Sequence, residues 1–176
     1  LTDTTNNADI LFQGNVTATT FTTAAQGYDL ALTGSSNTIT NAVTFQNTGN
    51  LNLGDASGDA FTFNGGLTES TSGTVTLAGS IDSSNDVMTF GAVTLAAATT
   101  LDSNATNTTG DITIGTVTGS NNNLTLDTTT TTGSASHTFN GDINLGSGAL
   151  DVTGDVVLGA NVTVTATAGS GTGIVF

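Results

Sequence analysis

Residues 75–90 read VTLAGSIDSSNDVMTF, and this stretch decides the fold. Val75 and Leu77 flank a threonine, so a strand that alternates sides at every residue places both apolar side chains on one face. Gly79 follows where a turn is expected, and Asn85 stands just before a third short strand. Because Val and Thr are β-branched and suit extended backbone, the stretch predicts short strands joined by tight turns.

The same arrangement occurs twice more, in ITIGTVTGSNNNLTLD (112–127) and in LDVTGDVVLGANVTVT (150–165). The offsets are about 37 and 38 residues, which is within the range of repeat architectures. A looser copy begins at Val43, so repeat units are predicted to start near residues 43, 75, 112 and 150. Apolar pairs in alternation continue along the chain, and no segment has an apolar stripe with a 3.6-residue period. The sequence therefore predicts a single repetitive β domain over residues 1–176.

Stacking of the repeats is the predicted way to form a core, because one such unit cannot bury its apolar face alone. We expect an all-β fold, a β-solenoid of imperfect repeats with roughly 20 to 25 residues per coil. Strands of neighbouring coils would pair in parallel at about 4.8 Å, with apolar columns inside and ladders of Thr, Ser and Asn outside. An antiparallel β-sandwich is the alternative, because it also uses short alternating strands separated by frequent turns.

The charge of the chain is entirely acidic apart from one histidine. The 176 residues contain no Lys, Arg, Cys, Pro or Trp, and the formal net charge is −14. Because no Lys or Arg is present to displace counterions, we expect no binding to nucleic acid or to anionic lipid. No apolar run approaches membrane-spanning length, so membrane insertion is not expected either. The fold must rest on burial, backbone ladders and side-chain hydrogen bonds.

Catalytic chemistry has little support in the composition. His137 is the only histidine, and a lone histidine identifies neither a nucleophile nor an orienting acid. It is interpreted as an ordinary turn or surface residue. Enzymes that act on polysaccharides commonly use Lys or Arg to bind substrate or to stabilise developing charge, and the chain has neither. We therefore predict that the protein is not an enzyme and that it needs no cofactor other than a possible divalent cation.

Calcium is the one candidate cofactor, because Ca²⁺ takes several oxygen ligands. The best local cluster is GDASGDAF (54–61), which offers Asp55 and Asp59 around a turn that contains glycine. It has only part of the glycine pattern of the calcium-binding glycine-rich nonapeptide repeat, and it does not recur. The alternative interpretation is that these aspartates serve turn geometry and solubility.

Several runs resemble repeats of large bacterial exoproteins, namely NLNLGD (50–55), TVTLAGSI (74–81), NNLTLDT (122–128), HTFNGDINLGSG (137–148) and ALDVTGDVVLGANVTV (149–164). These exoproteins are the filamentous-haemagglutinin-like and autotransporter-like β-helix adhesins. The resemblance implies a right-handed parallel β-helix, an extracellular or cell-surface location, and a role in adhesion or in building surface filaments. Such exoproteins are typically far longer, so the chain is expected to be a fragment or an independent small subunit.

The predicted function is structural: a segment or subunit of an extracellular surface adhesin, sheath or filament. The alternative is a ligand-binding adhesion module that recognises a glycan or a host or cell receptor. Apolar residues lie close to both chain ends, Ile10 and Phe12 at one and Ile174 and Phe176 at the other. No capping helix or charged strand is evident beside them, so the coils are expected to continue, either by end-to-end self-association or into a longer chain.

Overall fold

The computed structural model describes residues 1–3, 8–103, 109–128, 135–168 and 173–175. Within these ranges the chain forms β-strands and no helix, and all strand pairs are parallel. This confirms the predicted all-β solenoid, and it rejects the antiparallel sandwich. Across the described ranges there is accordingly no helix with the length and apolar character that a membrane crossing requires.

Each coil has three faces, and each face contributes one strand per turn. The first face stacks β1 (Asp9–Phe12), β3 (Asp29–Leu32), β6 (Leu51–Leu53), β9 (Val75–Asp82), β11 (Val93–Asp102), β13 (Val117–Thr118), β16 (Ile143–Gly146) and β19 (Val164–Ala166). The second face stacks β2 (Thr17–Ala18), β4 (Ser36–Ile39), β7 (Ala60–Phe63), the later parts of β9 and β11, β14 (Leu124–Asp127), β17 (Leu150–Thr153) and β20 (Ile174–Val175). The third face stacks β5 (Val43–Phe45), β8 (Leu67–Glu69), β10 (Met88–Phe90), β12 (Ile112–Ile114), β15 (Ser136–Phe139) and β18 (Asp155–Leu158).

The described strands make six complete coils, because the third face has six strands. A partial coil precedes them through β1 and β2, and another follows them through β19 and β20. Coil length varies, from 18 residues between the paired Val75 and Val93 to 26 between Val117 and Ile143. The insertions and deletions lie at the corners, so the strands stay in register while the turns differ.

The predicted repeat starts fall on different faces of the coil. Val75 lies on the first face and pairs with Leu51 and Val93. Ile112 lies on the third face and Leu150 on the second. From Val75 to Ile112 the chain advances by five faces, because β9 and β11 each span the first and the second face, whereas two full coils need six. The sequence alignment slipped by one face because strands of all three faces share the same apolar-polar-apolar pattern.

The core consists of apolar columns that run along the axis. On the third face, for example, Val43, Leu67, Met88 and Ile112 follow one another in register and are all buried. Near the N-terminal end a row of phenylalanines fills the interior, with ring centroids 6.2 Å apart for Phe12 and Phe21 and again for Phe21 and Phe45. On the outer surface of the third face, five successive coils each place a threonine at the same register position. These residues are Thr44, Thr68, Thr89, Thr113 and Thr138.

Asp and Asn side chains close the backbone ladder where strands begin. In each case a side-chain oxygen accepts a hydrogen bond from a backbone N–H one coil further along. The pairs are Asn15 with Ser36 (3.1 Å), Asp29 with Asn50 (2.7 Å), Asn50 with Thr74 (3.1 Å), Asp111 with Ser136 (2.7 Å), Asn123 with Ala149 (2.9 Å) and Asp142 with Thr163 (2.8 Å). Part of the acidic charge therefore serves coil-to-coil hydrogen bonding.

Candidate functional site

The predicted calcium ligands lie in the turn before β7, where Asp59 has a structural role. Its side chain is buried, and its Oδ2 accepts hydrogen bonds from the backbone N–H of Asp55 at 2.9 Å and of Ala56 at 3.0 Å. These bonds tie the start of the turn to its end. The Asp55 side chain is exposed. The contact between the two residues is therefore made by the backbone N–H of Asp55 and the carboxylate of Asp59.

No group of three or more His, Asp or Glu side chains is placed to hold a metal ion within the part of the chain that the structure describes. Calcium binding at Asp55 and Asp59 stays a prediction. If Ca²⁺ bound there, it would have to share Asp59 with the two backbone donors that already occupy Oδ2.

His137 is not a surface residue, which corrects the interpretation drawn from the sequence. It is fully buried on β15 and continues the apolar column of the third face, between Ile112 and Val156. Its Nε2 lies 3.0 Å from the carbonyl oxygen of Thr153 and 3.2 Å from Oγ1 of Thr128. Because a carbonyl can only accept, Nε2 carries the proton and donates to Thr153.

Burial makes His137 a poor proton acceptor. Loss of hydration lowers its pKa from the ordinary value of 6.5, and the hydrogen bond to Thr153 and the carboxylates of Asp127 and Asp111 oppose this only in part. Its Nδ1 is buried without a hydrogen-bond partner among the described residues. The environment therefore suits a neutral imidazole.

The alternation rule contained the signal for this burial. His137 stands two residues before Phe139, so period two places both side chains on the same inward face. Glu69 is a second case: it follows Leu67 by two residues and is buried in register with Phe45. Its Oε1 accepts hydrogen bonds from the backbone N–H of Thr71 at 2.8 Å and of Ser72 at 2.7 Å. For His137 the sequence suggested a turn or surface position, and the alternation pattern outweighed that interpretation.

The C-terminal end of the solenoid presents an open strand edge. Within the described residues β18 pairs with β15 on one side and has no strand on its other side. Val157 is 47% exposed and Leu158 is 61% exposed. Val157 pairs in register with Thr138 and so occupies the outward position that threonine has in the preceding coil. Leu158 pairs in register with Phe139, which belongs to a column whose other members are covered by the next coil.

Asp155, the first residue of β18, is exposed and is the last acidic residue of the sequence. Residues 156–176 contain no Asp or Glu. The strands β19 and β20 that accompany β18 at this end consist of Val, Thr, Ala and Ile. In a chain of net charge −14, a stretch of 21 residues without an acidic side chain is a local departure from the rest of the sequence.

At the N-terminal end, residues 1–3 run beside the segment that leads out of the first coil. The carbonyl oxygen of Leu1 accepts hydrogen bonds from the backbone N–H of Ala24 at 3.0 Å and from the Tyr28 hydroxyl at 3.2 Å. That segment in turn lies over β5, because the Gln46 N–H donates to Oγ1 of Thr23 at 2.7 Å. Residues 1–3 therefore occupy the third face, one level beyond the segment at Thr23.

A shallow depression of about 250 Å³ lies on the first face near this end. Its floor is apolar, formed by Leu11 and Ala31, and its polar lining includes Asp29 and Asn52. Asp29 is occupied in part, because it accepts hydrogen bonds from the Asn50 backbone at 2.7 Å and side chain at 3.1 Å. The depression can hold a small polar ligand against an apolar surface.

Comparison of the chain with protein-family models, with characterised proteins and with solved structures found no match. The resemblance to bacterial β-helix adhesins therefore stays a prediction that rests on the sequence runs themselves. What the structure establishes is the fold: an all-β, parallel β-solenoid of imperfect repeats.

Proposed function

We propose that the chain is a structural segment or subunit of an extracellular surface adhesin, sheath or filament, without catalytic activity. The observation that carries this proposal is the continuity of the three parallel sheets through six complete coils. Coils joined by backbone ladders on all three faces make a stiff rod, because each coil is tied to the next by hydrogen bonds parallel to the axis.

The surface chemistry supports an extracellular role. Without Lys and Arg the chain has no site for trypsin-like proteases, and without Cys it has no thiol to oxidise. The sequence resemblance to bacterial β-helix adhesins supports the same location. The outward side chains of the solenoid are largely polar and the net charge is acidic, which suits a component whose sides must stay in contact with water.

The test is immunogold electron microscopy of intact source cells with antibodies raised against the purified chain. We expect gold particles along filaments, a sheath or other material outside the cell envelope. Labelling confined to the cytoplasm would contradict the proposal. A second antibody against a cytoplasmic protein serves as the control for envelope integrity.

A ligand-binding adhesion module is the second candidate, and the depression on the first face favours it. Aspartate and asparagine side chains around an apolar floor suit hydroxyl-rich ligands such as glycans. A glycan array probed with the labelled chain tests this role. Binding that is lost in Ala31→Asp, which would fill the floor with charge, and retained in Thr113→Asp on the third face would support it.

A further inference from the structure

We propose that the outer surface of the third face is an ice-binding surface, where threonine hydroxyls at the strand spacing engage the oxygen lattice of ice. The surface is formed by β5, β8, β10, β12 and β15, which stack on one another inside the solenoid. This function goes beyond the proposed structural role and does not depend on it, because it uses the side of the solenoid and needs no other chain.

The central threonine of each of these five strands has one possible direction. It is flanked on both sides by buried residues, so the alternation of side chains directs it outward. At about 4.8 Å per coil, the five side chains span about 19 Å along the axis. This threonine row consists of Thr44, Thr68, Thr89, Thr113 and Thr138.

The hydroxyls of the threonine row are available to an external partner. None of them forms a hydrogen bond with another residue in the part of the chain that the structure describes. Threonine hydroxyls elsewhere are used internally, as in Thr71, whose Oγ1 donates to the carbonyl oxygen of Phe45 at 3.2 Å. A hydroxyl donates one hydrogen bond and accepts up to two, so it can replace part of a water molecule in a lattice. Because threonine is β-branched and stiff at χ1, the row is a fixed array.

The spacing of the row is close to a distance that tetrahedral water fixes. Hydrogen bonds of about 2.75 Å between water oxygens, meeting at the tetrahedral angle, place next-nearest oxygens about 4.5 Å apart. The coil spacing is about 4.8 Å, so the mismatch is about 0.3 Å per coil. Counted from Thr89 at the centre, it reaches about 0.6 Å at Thr44 and Thr138, which is small beside the length of a hydrogen bond.

Charge is nearly absent from this surface, although the chain has a net charge of −14. Within two positions of the five threonines the only acidic residues are Glu69 and Asp111. Glu69 is buried, and Asp111 is half-buried and accepts a hydrogen bond from the Ser136 N–H at 2.7 Å. A free carboxylate would orient water around its own charge, so an uncharged row suits the lattice of ice. The second face, in contrast, has an outward aspartate on four successive strands, namely Asp82, Asp102, Asp127 and Asp151.

A crystalline polysaccharide is the competing solid with a regular surface. It presents flat sugar rings, for which exposed aromatic side chains would be the main source of contact area. The aromatic residues of the five strands are Phe45, Phe90 and Phe139, and all three are buried. The surface therefore offers hydroxyl and methyl groups without a stacking platform, which favours ice.

The experiment measures thermal hysteresis, which is the gap between the melting and freezing temperatures of a seed ice crystal, and the uptake of protein into slowly grown ice. It compares wild type with Thr89→Tyr, which would hold ice away from the centre of the row, and with Thr100→Tyr on the second face. Both threonines are outward, half-buried strand residues, and tyrosine suits strands. We expect wild type and Thr100→Tyr to show hysteresis and to enter ice, and we expect Thr89→Tyr to lose most of both.

Thr89→Val tests the hydroxyl without adding bulk, because valine keeps the branched shape and replaces the hydroxyl with a methyl group. We expect a partial loss of thermal hysteresis. Circular dichroism and thermal unfolding establish that each variant is folded.

Three results would overturn the ice assignment: a wild-type chain without thermal hysteresis at high concentration, equal hysteresis in the two tyrosine variants, or full hysteresis in Thr89→Val. Exclusion from ice combined with retention on microcrystalline cellulose or chitin that Thr89→Tyr abolishes would also overturn it, in favour of a polysaccharide. Each of these leaves the immunogold test of the structural function standing. Cytoplasmic labelling with intact ice binding would reject the structural function and keep the ice-binding surface.

Discussion

At the scale of single residues, His137 is the most unusual member of the core. It holds a column position that other coils give to Val, Leu, Met or Ile, and its Nδ1 has no acceptor nearby among the described residues. Protonation of Nδ1 would place a buried positive charge in the core, and the new Nδ1–H would have no acceptor among the described residues. The charged groups that act on it are Asp127 of β14 and Asp111, which precedes β12.

The first prediction concerns the titration of His137. Burial lowers its folded-state pKa, so the unfolded chain binds the proton more readily. Stability should fall as pH drops below about 6.5, the ordinary histidine value, and the loss should level off below the folded-state pKa. Because the chain has one histidine, its imidazole NMR signal reports that pKa without assignment. A folded-state pKa at or above 6.5 would contradict the account.

His137→Met separates this effect from carboxylate titration. Met88 occupies the same column, so methionine suits the site. The urea-unfolding free energies of wild type and variant should diverge in the variant's favour between pH 7.5 and pH 5. A constant difference over that range would mean that His137 does not contribute to the pH dependence.

The second prediction concerns the Asp residues that close the ladder. Asp111→Ala leaves the Ser136 N–H without its partner at 2.7 Å, and we expect a loss of about 1 kcal/mol. Asp111→Asn keeps an acceptor and should be close to wild type. Asp151→Ala removes the same charge from an exposed position and serves as the control. Chemical denaturation at pH 7.5 measures all three. Equal stability of Asp111→Ala and Asp151→Ala would argue against the role.

At the scale of strands and corners, the sequence predicted the elements better than their order around the coil. Apolar pairs such as Val75 and Leu77 mark strands wherever they occur, because period two is a local property. Which face a strand occupies depends on the corner before it, and corner lengths vary. The repeat estimate therefore slipped by one face.

The candidate sites were less predictable, for a related reason. His137 was interpreted as a turn or surface residue, although its spacing from Phe139 placed it inside. The role of Asp111 toward Ser136 depends on a contact between coils 25 residues apart. Such a contact follows only from the register, which the sequence left open.

The third prediction concerns the corner inside β9, where the chain passes from the first face to the second. Gly79 has φ +82°, and an added Cβ would lie 2.1 Å from the carbonyl oxygen of Asp59 in the preceding coil. Gly79→Ala should therefore cost about 2 kcal/mol or more. Gly58→Ala, where a Cβ would meet nothing within 4 Å, is the matched control and should stay near wild type. Thermal unfolding of both decides, and equal melting temperatures would contradict the geometry of this corner.

At the scale of the whole molecule, charge opposes assembly and burial favours it. All the acidic charge is carboxylate, and no Lys or Arg offsets it. The fourth prediction is that association strengthens as pH falls toward about 4, or when calcium is added at low salt, because both changes reduce the repulsion between negatively charged molecules. Below about pH 6.5 the protonation of His137 acts in the opposite direction on the fold. Light scattering reports association and circular dichroism reports the fold, so recording both separates the two effects. Light scattering that changes neither with pH nor with calcium would contradict the prediction.

The register of the parallel coils is the central claim, and disulfide trapping tests it most directly because the chain has no native cysteine. Thr89 and Thr113 are partners on adjacent coils, where the strand spacing of about 4.8 Å lies within disulfide reach. Thr68 and Thr113 stand two coils apart, at about 9.6 Å, which is beyond that reach. We predict rapid disulfide formation under mild oxidation in the T89C/T113C double variant and none within the folded T68C/T113C chain. A disulfide in the second pair, or none in the first, would contradict the solenoid.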